Sequence, residues 1–72
     1  MPHFVYIMAS RPGGALFTGR THALRQSVEA HRAGLSSHTA RYNIRRLVWF
    51  EPHETLQAAQ LRERRIKRWK RN

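Results

Sequence analysis

The sequence predicts an α+β fold: a small three-stranded, largely antiparallel sheet flanked by helices, in the order β-β-α-β-α. Three observations carry that prediction. Two short runs rich in β-forming residues, Phe4 to Ala9 and Ala15 to Thr18, flank the turn cluster Ser10-Arg11-Pro12-Gly13-Gly14. The apolar period then changes at Thr21 to that of a helix. A third apolar run, Leu47 to Phe50, precedes a second helical pattern.

The elements follow in order. The first two runs on either side of a compact turn read as a β-hairpin, the second ending at Gly19. From Thr21, a candidate N-cap, Leu24, Val28 and His31 recur at helical spacing, and Gly34 stops the helix. Leu35 to Ile44 is polar and broken, a loop with room for one helical turn. The third strand, Leu47 to Phe50, ends before Pro52. A last helix starts near Glu54 or Thr55 and runs on towards the end of the chain. Such a pattern packs as a helix layer on a sheet.

Seventy-two residues are expected to form one domain, residues 1–72. A core this small is marginal and leaves a monomer and a homodimer both open. The chain has no cysteine, which removes disulfides, thiolate metal sites and thiol nucleophiles. It shows neither a membrane-length apolar run nor a signal-peptide pattern, so a soluble, cytoplasmic protein is expected.

Fourteen basic residues against four acidic ones give a formal net charge of +10, with twelve of the basic residues arginine and two lysine. Guanidinium groups are permanently charged and hold phosphate with paired hydrogen bonds. The excess points to a polyanion, above all nucleic acid. The competing explanation is compositional, because a basic surface need not bind anything specific.

In the last helix Leu56, Ala59, Glu63 and Ile66 fall within a stripe about 80° wide, while Arg64, Arg65, Arg68 and Arg71 project away from it. Glu63 thus lies in the apolar stripe, where an unpaired carboxylate is strongly disfavoured. Two compensations are open. Glu63 pairs with an arginine such as Arg25 or Arg32, or it faces a cleft and binds a divalent cation, an ion that often takes only one or two protein carboxylates. His31 on the inner face of the first helix, and Tyr6 in the first strand, read equally as core residues or as site residues. Trp49 and Trp69 read as core or rim.

Taken in order, the motifs Val5-Tyr6-Ile7, Leu16-Phe17-Thr18-Gly19, His31-Arg32-Ala33-Gly34, Thr39-Ala40-Arg41-Tyr42, Leu47-Val48-Trp49-Phe50-Glu51, Ala59-x-x-x-Glu63 and Ile66-Lys67-x-Trp69 span nearly the whole chain. This series resembles the GIY-YIG nuclease superfamily, in particular its short single-domain bacterial branch. The resemblance implies the same α+β fold and divalent-metal-dependent hydrolysis of DNA phosphodiesters, with Mg²⁺ or Mn²⁺ as cofactor. It implies that Tyr6, His31 and Glu63 are catalytic and that Glu63 holds the metal. Arg20, Arg25, Arg32, Arg41 and Lys67 are the expected nucleic-acid contacts, DNA before RNA.

The chain departs from the family pattern at three places. Phe17 stands where the second motif has a tyrosine, a candidate general base, and Phe17 has no proton to exchange. The helix arginine, ten residues further on, is replaced by Ser27. Asn72, nine residues after Glu63, is closer than the spacing of the family's asparagine. Tyr42 and His31 are the candidates to stand in for the missing base. Two alternatives to a nuclease of weakened activity follow: an inactive nucleic-acid-binding module on the same scaffold, and a partner-binding domain whose charge is incidental.

Overall fold

The computed structural model describes residues 2–69. Strands β1 (His3–Ala9) and β2 (Leu16–Thr21) are followed by helix α1 (Leu24–Arg32), the short helix α2 (Ser37–Arg41), strand β3 (Arg46–His53) and helix α3 (Leu56–Trp69). The three strands form one antiparallel sheet in the order β2-β1-β3, so both β2 and β3 are edges. The predicted α+β class and three-stranded antiparallel sheet hold. The expectations for Arg71, Asn72 and the side chain of Trp69 lie outside the described residues.

Side-chain alternation along β1 builds two cores on opposite faces of the sheet. Tyr6 and Met8 point to one face and pack with Val28 of α1 and with Ile44. Val5 points to the other and packs with Ala59 and Ile66 of α3. Full burial of Met8, Val5, Ile44 and Ile66 stabilises the fold by roughly 1.5–3 kcal/mol for each side chain. A register shift opposite Ile7 and Met8 pairs Ile7 with Trp49 but Met8 with Leu47. This bulge explains how Leu47 and Trp49, two positions apart, serve opposite cores.

Several boundaries differ from the sequence reading. Strand β2 continues past Gly19 to Thr21, because Gly19 pairs with Tyr6 and Thr21 with Phe4. Strand β3 continues through Pro52, which pairs with Phe4 on an edge strand where a missing N–H is tolerated. Thr21 does not cap α1. Its Oγ1 accepts from the Ala23 N–H at 3.0 Å and from the Ser27 hydroxyl at 2.7 Å, and Ala23 holds the cap position. Gly34 does stop the segment, at φ +75°. The loop carries a five-residue helix, α2, whose Thr39 is completely buried. Thr55 Oγ1 accepts from the Ala58 N–H at 3.1 Å and sets the start of α3. Leu56, counted in the apolar stripe, is exposed. No helix among the described residues is long and apolar enough to cross a membrane.

Candidate active site

Strand β1 places Tyr6 opposite Gly19 of β2. A Cβ at Gly19 would lie only 2.8 Å from Tyr6 Cζ and Oη and 2.7 Å from Phe17 Cε2. The phenol therefore crosses the edge strand at the one position where no side chain blocks it, and its hydroxyl reaches α1. There Tyr6 Oη lies 2.9 Å from His31 Nε2. The other imidazole nitrogen, Nδ1, lies 2.8 Å from Thr39 Oγ1, and the Thr39 hydroxyl donates to the Ser36 carbonyl at 3.4 Å.

These contacts orient one another. With the imidazole protonated at Nδ1, Thr39 Oγ1 accepts from the ring while its own proton goes to Ser36, and the Nε2 lone pair accepts the Tyr6 O–H. Burial raises the Tyr6 pKa above 10.0, with the negative charge of Glu63 adding to the rise and the nearby Ser27 hydroxyl opposing it. Burial lowers the His31 pKa below 6.5. Both shifts favour the neutral pair, so at rest the proton stays on Tyr6. The phenol oxygen keeps a lone pair that can take a hydrogen bond from a water while its own proton is shared with His31.

Glu63 comes from α3, on the opposite face of the sheet from α1. The expected pairing with Arg25 or Arg32 is therefore wrong: both lie on α1 and line a separate groove with Leu24, Val28, Glu29 and Leu47. Glu63 is instead held by Arg20 and Lys67. Arg20 Nη1 donates to Glu63 Oε1 at 2.8 Å, and Lys67 Nζ forms an ion pair with Oε2 at 2.9 Å. Register explains the first contact, since Arg20 pairs with Val5 and so shares the face that α3 covers. The second is one helical turn away along α3.

Arg20, Gln60, Glu63, Arg64 and Lys67 enclose a cleft of about 230 Å³. Arg64, expected to project away from the stripe, lines this cleft. Lys67 also borders a neighbouring hollow of about 290 Å³ with Leu16, Phe17, Thr18 and His38. Phe17, at the missing-tyrosine position, has its ring centroid 5.0 Å from that of His31 and 6.1 Å from that of His38. Ser27, at the missing-arginine position, bonds to Thr21. Tyr42 is half exposed and edge-on to His38. Arg41 is exposed at the end of α2. Arg32 pairs with Glu29 at 3.5 Å. Trp49 lies in the second core beneath the guanidinium of Arg62, 5.6 Å away.

The structure thus joins Tyr6 to His31, and Arg20 to Glu63 and Lys67, while Arg25, Arg32 and Arg41 stand apart. Gly19 and Thr39 were read only as members of the motif series, with no site role assigned. Gly19 was legible as a glycine opposite a strand tyrosine. The role of Thr39 was not, because a tertiary contact alone brings it to the imidazole.

The carboxylate suits a hard divalent cation in its donor chemistry. It supplies oxygen alone, and such an ion is often completed by water and substrate phosphate. No group of three or more His, Asp, Glu or Cys side chains gathers among the described residues, and Glu63 is the one acidic side chain among the described residues lining its cleft. In the arrangement seen, both its oxygens are already ion-paired with cations.

A phenol–imidazole pair at a sheet edge, beside a lone carboxylate in an arginine- and lysine-lined cleft, is a set of groups suited to phosphate chemistry. Comparison with known families agrees: residues 2–72 match the GIY-YIG catalytic domain, and the chain belongs to the GIY-YIG family of nuclease-type domains. Comparison with curated proteins and with solved structures returns no significant match.

Proposed function

We propose that this chain is a divalent-metal-dependent endonuclease acting on DNA in the cytoplasm, with activity weakened by Phe17 and Ser27. The observation that carries the reading is the Tyr6–His31–Thr39 chain of hydrogen bonds in one chain with the Glu63 cleft. Tyr6 orients the attacking water through its phenol oxygen. As the water attacks, its proton passes to the phenol oxygen while the phenol proton passes to His31 Nε2, the ring being protonated at Nδ1 against Thr39. Glu63 is the residue to hold Mg²⁺ or Mn²⁺, which when bound supplies Lewis-acid stabilisation of the phosphate and the leaving oxygen. Arg20 and Lys67 contact phosphate at the cleft. Arg25, Arg32 and Arg41, on other surfaces, extend the contact to flanking nucleic acid.

The test is cleavage of single- and double-stranded DNA, with RNA alongside, in Mg²⁺, Mn²⁺ and EDTA. Metal-dependent cleavage that disappears in Glu63→Ala is the expected result. Activity that survives Glu63→Ala rules the mechanism out.

A second reading is favoured by one observation, the capture of both Glu63 oxygens by Arg20 and Lys67. In it the domain binds nucleic acid without cutting it. Salt-sensitive binding with no cleavage in either metal would establish this reading instead.

A further inference from the structure

The cations around Glu63 are arranged as a cover. The Lys67 side chain is 57% exposed, that of Arg20 34% and that of Glu63 14%. Solvent reaches the two cationic groups before it reaches the carboxylate between them. Resting on the nuclease reading above, we propose that Arg20 and Lys67 form an exchangeable latch on Glu63. A phosphodiester draws the two cations off the carboxylate, and Glu63 takes a divalent metal ion only with nucleic acid in place.

Charge requires this order. The cleft holds Arg20, Arg64 and Lys67 against the single carboxylate of Glu63, and the chain contains no aspartate to add a second. A bare divalent cation would enter a site that is already net positive and would have to displace two ion pairs, one of them a charge-assisted hydrogen bond. A phosphate brings the compensating negative charge. It offers Arg20 and Lys67 an alternative anion, and guanidinium can hold it through two parallel bonds where Glu63 engages Nη1 alone. Lys67 has somewhere to move, since it also borders the hollow beside Phe17 and His38. The ion pairs are partly solvated, so each is weak enough to exchange. The latch also reconciles a metal-binding carboxylate with its saturation in the free protein.

The test measures Mn²⁺ binding to the whole chain by the paramagnetic resonance signal of free Mn²⁺, with and without a phosphorothioate oligonucleotide. Glu63→Gln subtracts ions bound elsewhere. The Glu63-dependent site is expected to be about tenfold or more tighter with the oligonucleotide, and anisotropy of a labelled oligonucleotide should show the reciprocal gain on adding Mn²⁺. Arg20→Gln and Lys67→Gln should tighten Mn²⁺ binding to the free protein and flatten its dependence on the oligonucleotide. Arg64→Gln removes the same charge from the same cleft, but no ion pair joins Arg64 to Glu63 among the described residues, so it should keep most of the wild-type dependence. Equal affinity with and without oligonucleotide overturns the latch. So does a free-protein affinity that Arg20→Gln and Lys67→Gln raise no more than Arg64→Gln does. Absence of any Glu63-dependent Mn²⁺ site, even with oligonucleotide, overturns the metal reading itself.

Discussion

The hydroxyl of Tyr6 lies 2.9 Å from Nε2 of His31, and the far side of the imidazole lies 2.8 Å from the buried Thr39. Tyr6→Phe removes the hydroxyl and leaves Nε2 without its partner. Stability should fall by about 1 kcal/mol, while single-turnover cleavage should fall by about 10²–10⁴-fold. Thermal unfolding and rapid-quench kinetics on the same preparation separate the two effects. A rate unchanged by the substitution would remove Tyr6 from the mechanism.

Burial holds the native His31 pKa below the ordinary 6.5. The unfolded chain therefore binds a proton at this position more readily than the native one. The resulting stability is fully present above about pH 6.5 and is lost as pH falls from there through the native pKa. Melting temperature should drop across this acidic window in the wild type, and the drop should shrink in His31→Gln. An identical pH profile in the two proteins contradicts the assignment.

Gly19→Ala tests the passage of the phenol over the edge strand. The added methyl would meet Tyr6 and Phe17 inside 3.0 Å, and the Tyr6 ring is buried and tied to His31. Overpacking of this kind should destabilise by about 1–3 kcal/mol. The Tyr6–His31 bond should weaken with it, visible as a changed titration of the His31 ring in NMR spectra.

Phe17→Tyr returns a hydroxyl to the second motif. Phe17 borders the open hollow with Leu16, Thr18, His38 and Lys67, so the larger ring should fit with a stability change within about 0.5 kcal/mol. Cleavage should rise at least about tenfold if proton transfer limits the rate. No gain, measured against wild type in Mn²⁺, would place the limit elsewhere, with Ser27 the next residue to restore.

Binding should be strongly salt-dependent, as expected for contacts made by Arg20, Arg25, Arg32, Arg41 and Lys67. Arg41→Gln should lower the slope of log affinity against log salt by about 1. Arg62→Gln serves as the comparison, because Arg62 is engaged by Glu51 at 3.0 Å and lies over Trp49. A slope reduced equally by both would indicate a diffuse charge effect instead of defined phosphate contacts.

Much of this was legible before folding. The hairpin followed from the Pro12-Gly13-Gly14 cluster, and α1 followed from the spacing of Leu24, Val28 and His31 with a stop at Gly34. Strand ends were less legible, because pairing carries β2 past Gly19 and β3 through Pro52, against their local preference. The inward position of Glu63 was read correctly, but its partners were not. Helical periodicity reports which way a residue faces on its own helix and carries no information on which sheet face that helix covers.

The chain's own order of residue types determined the α+β class, the basic character and the family motifs with Tyr6, His31 and Glu63, because these depend on local periodicity and composition. Tertiary structure alone decided that Arg20, not Arg25 or Arg32, meets Glu63, and that Thr39 meets Nδ1 of His31. Both depend on long-range packing. The helices α1 and α3 lie on opposite faces of one sheet, and only the bare backbone of Gly19 lets Tyr6 reach across its edge.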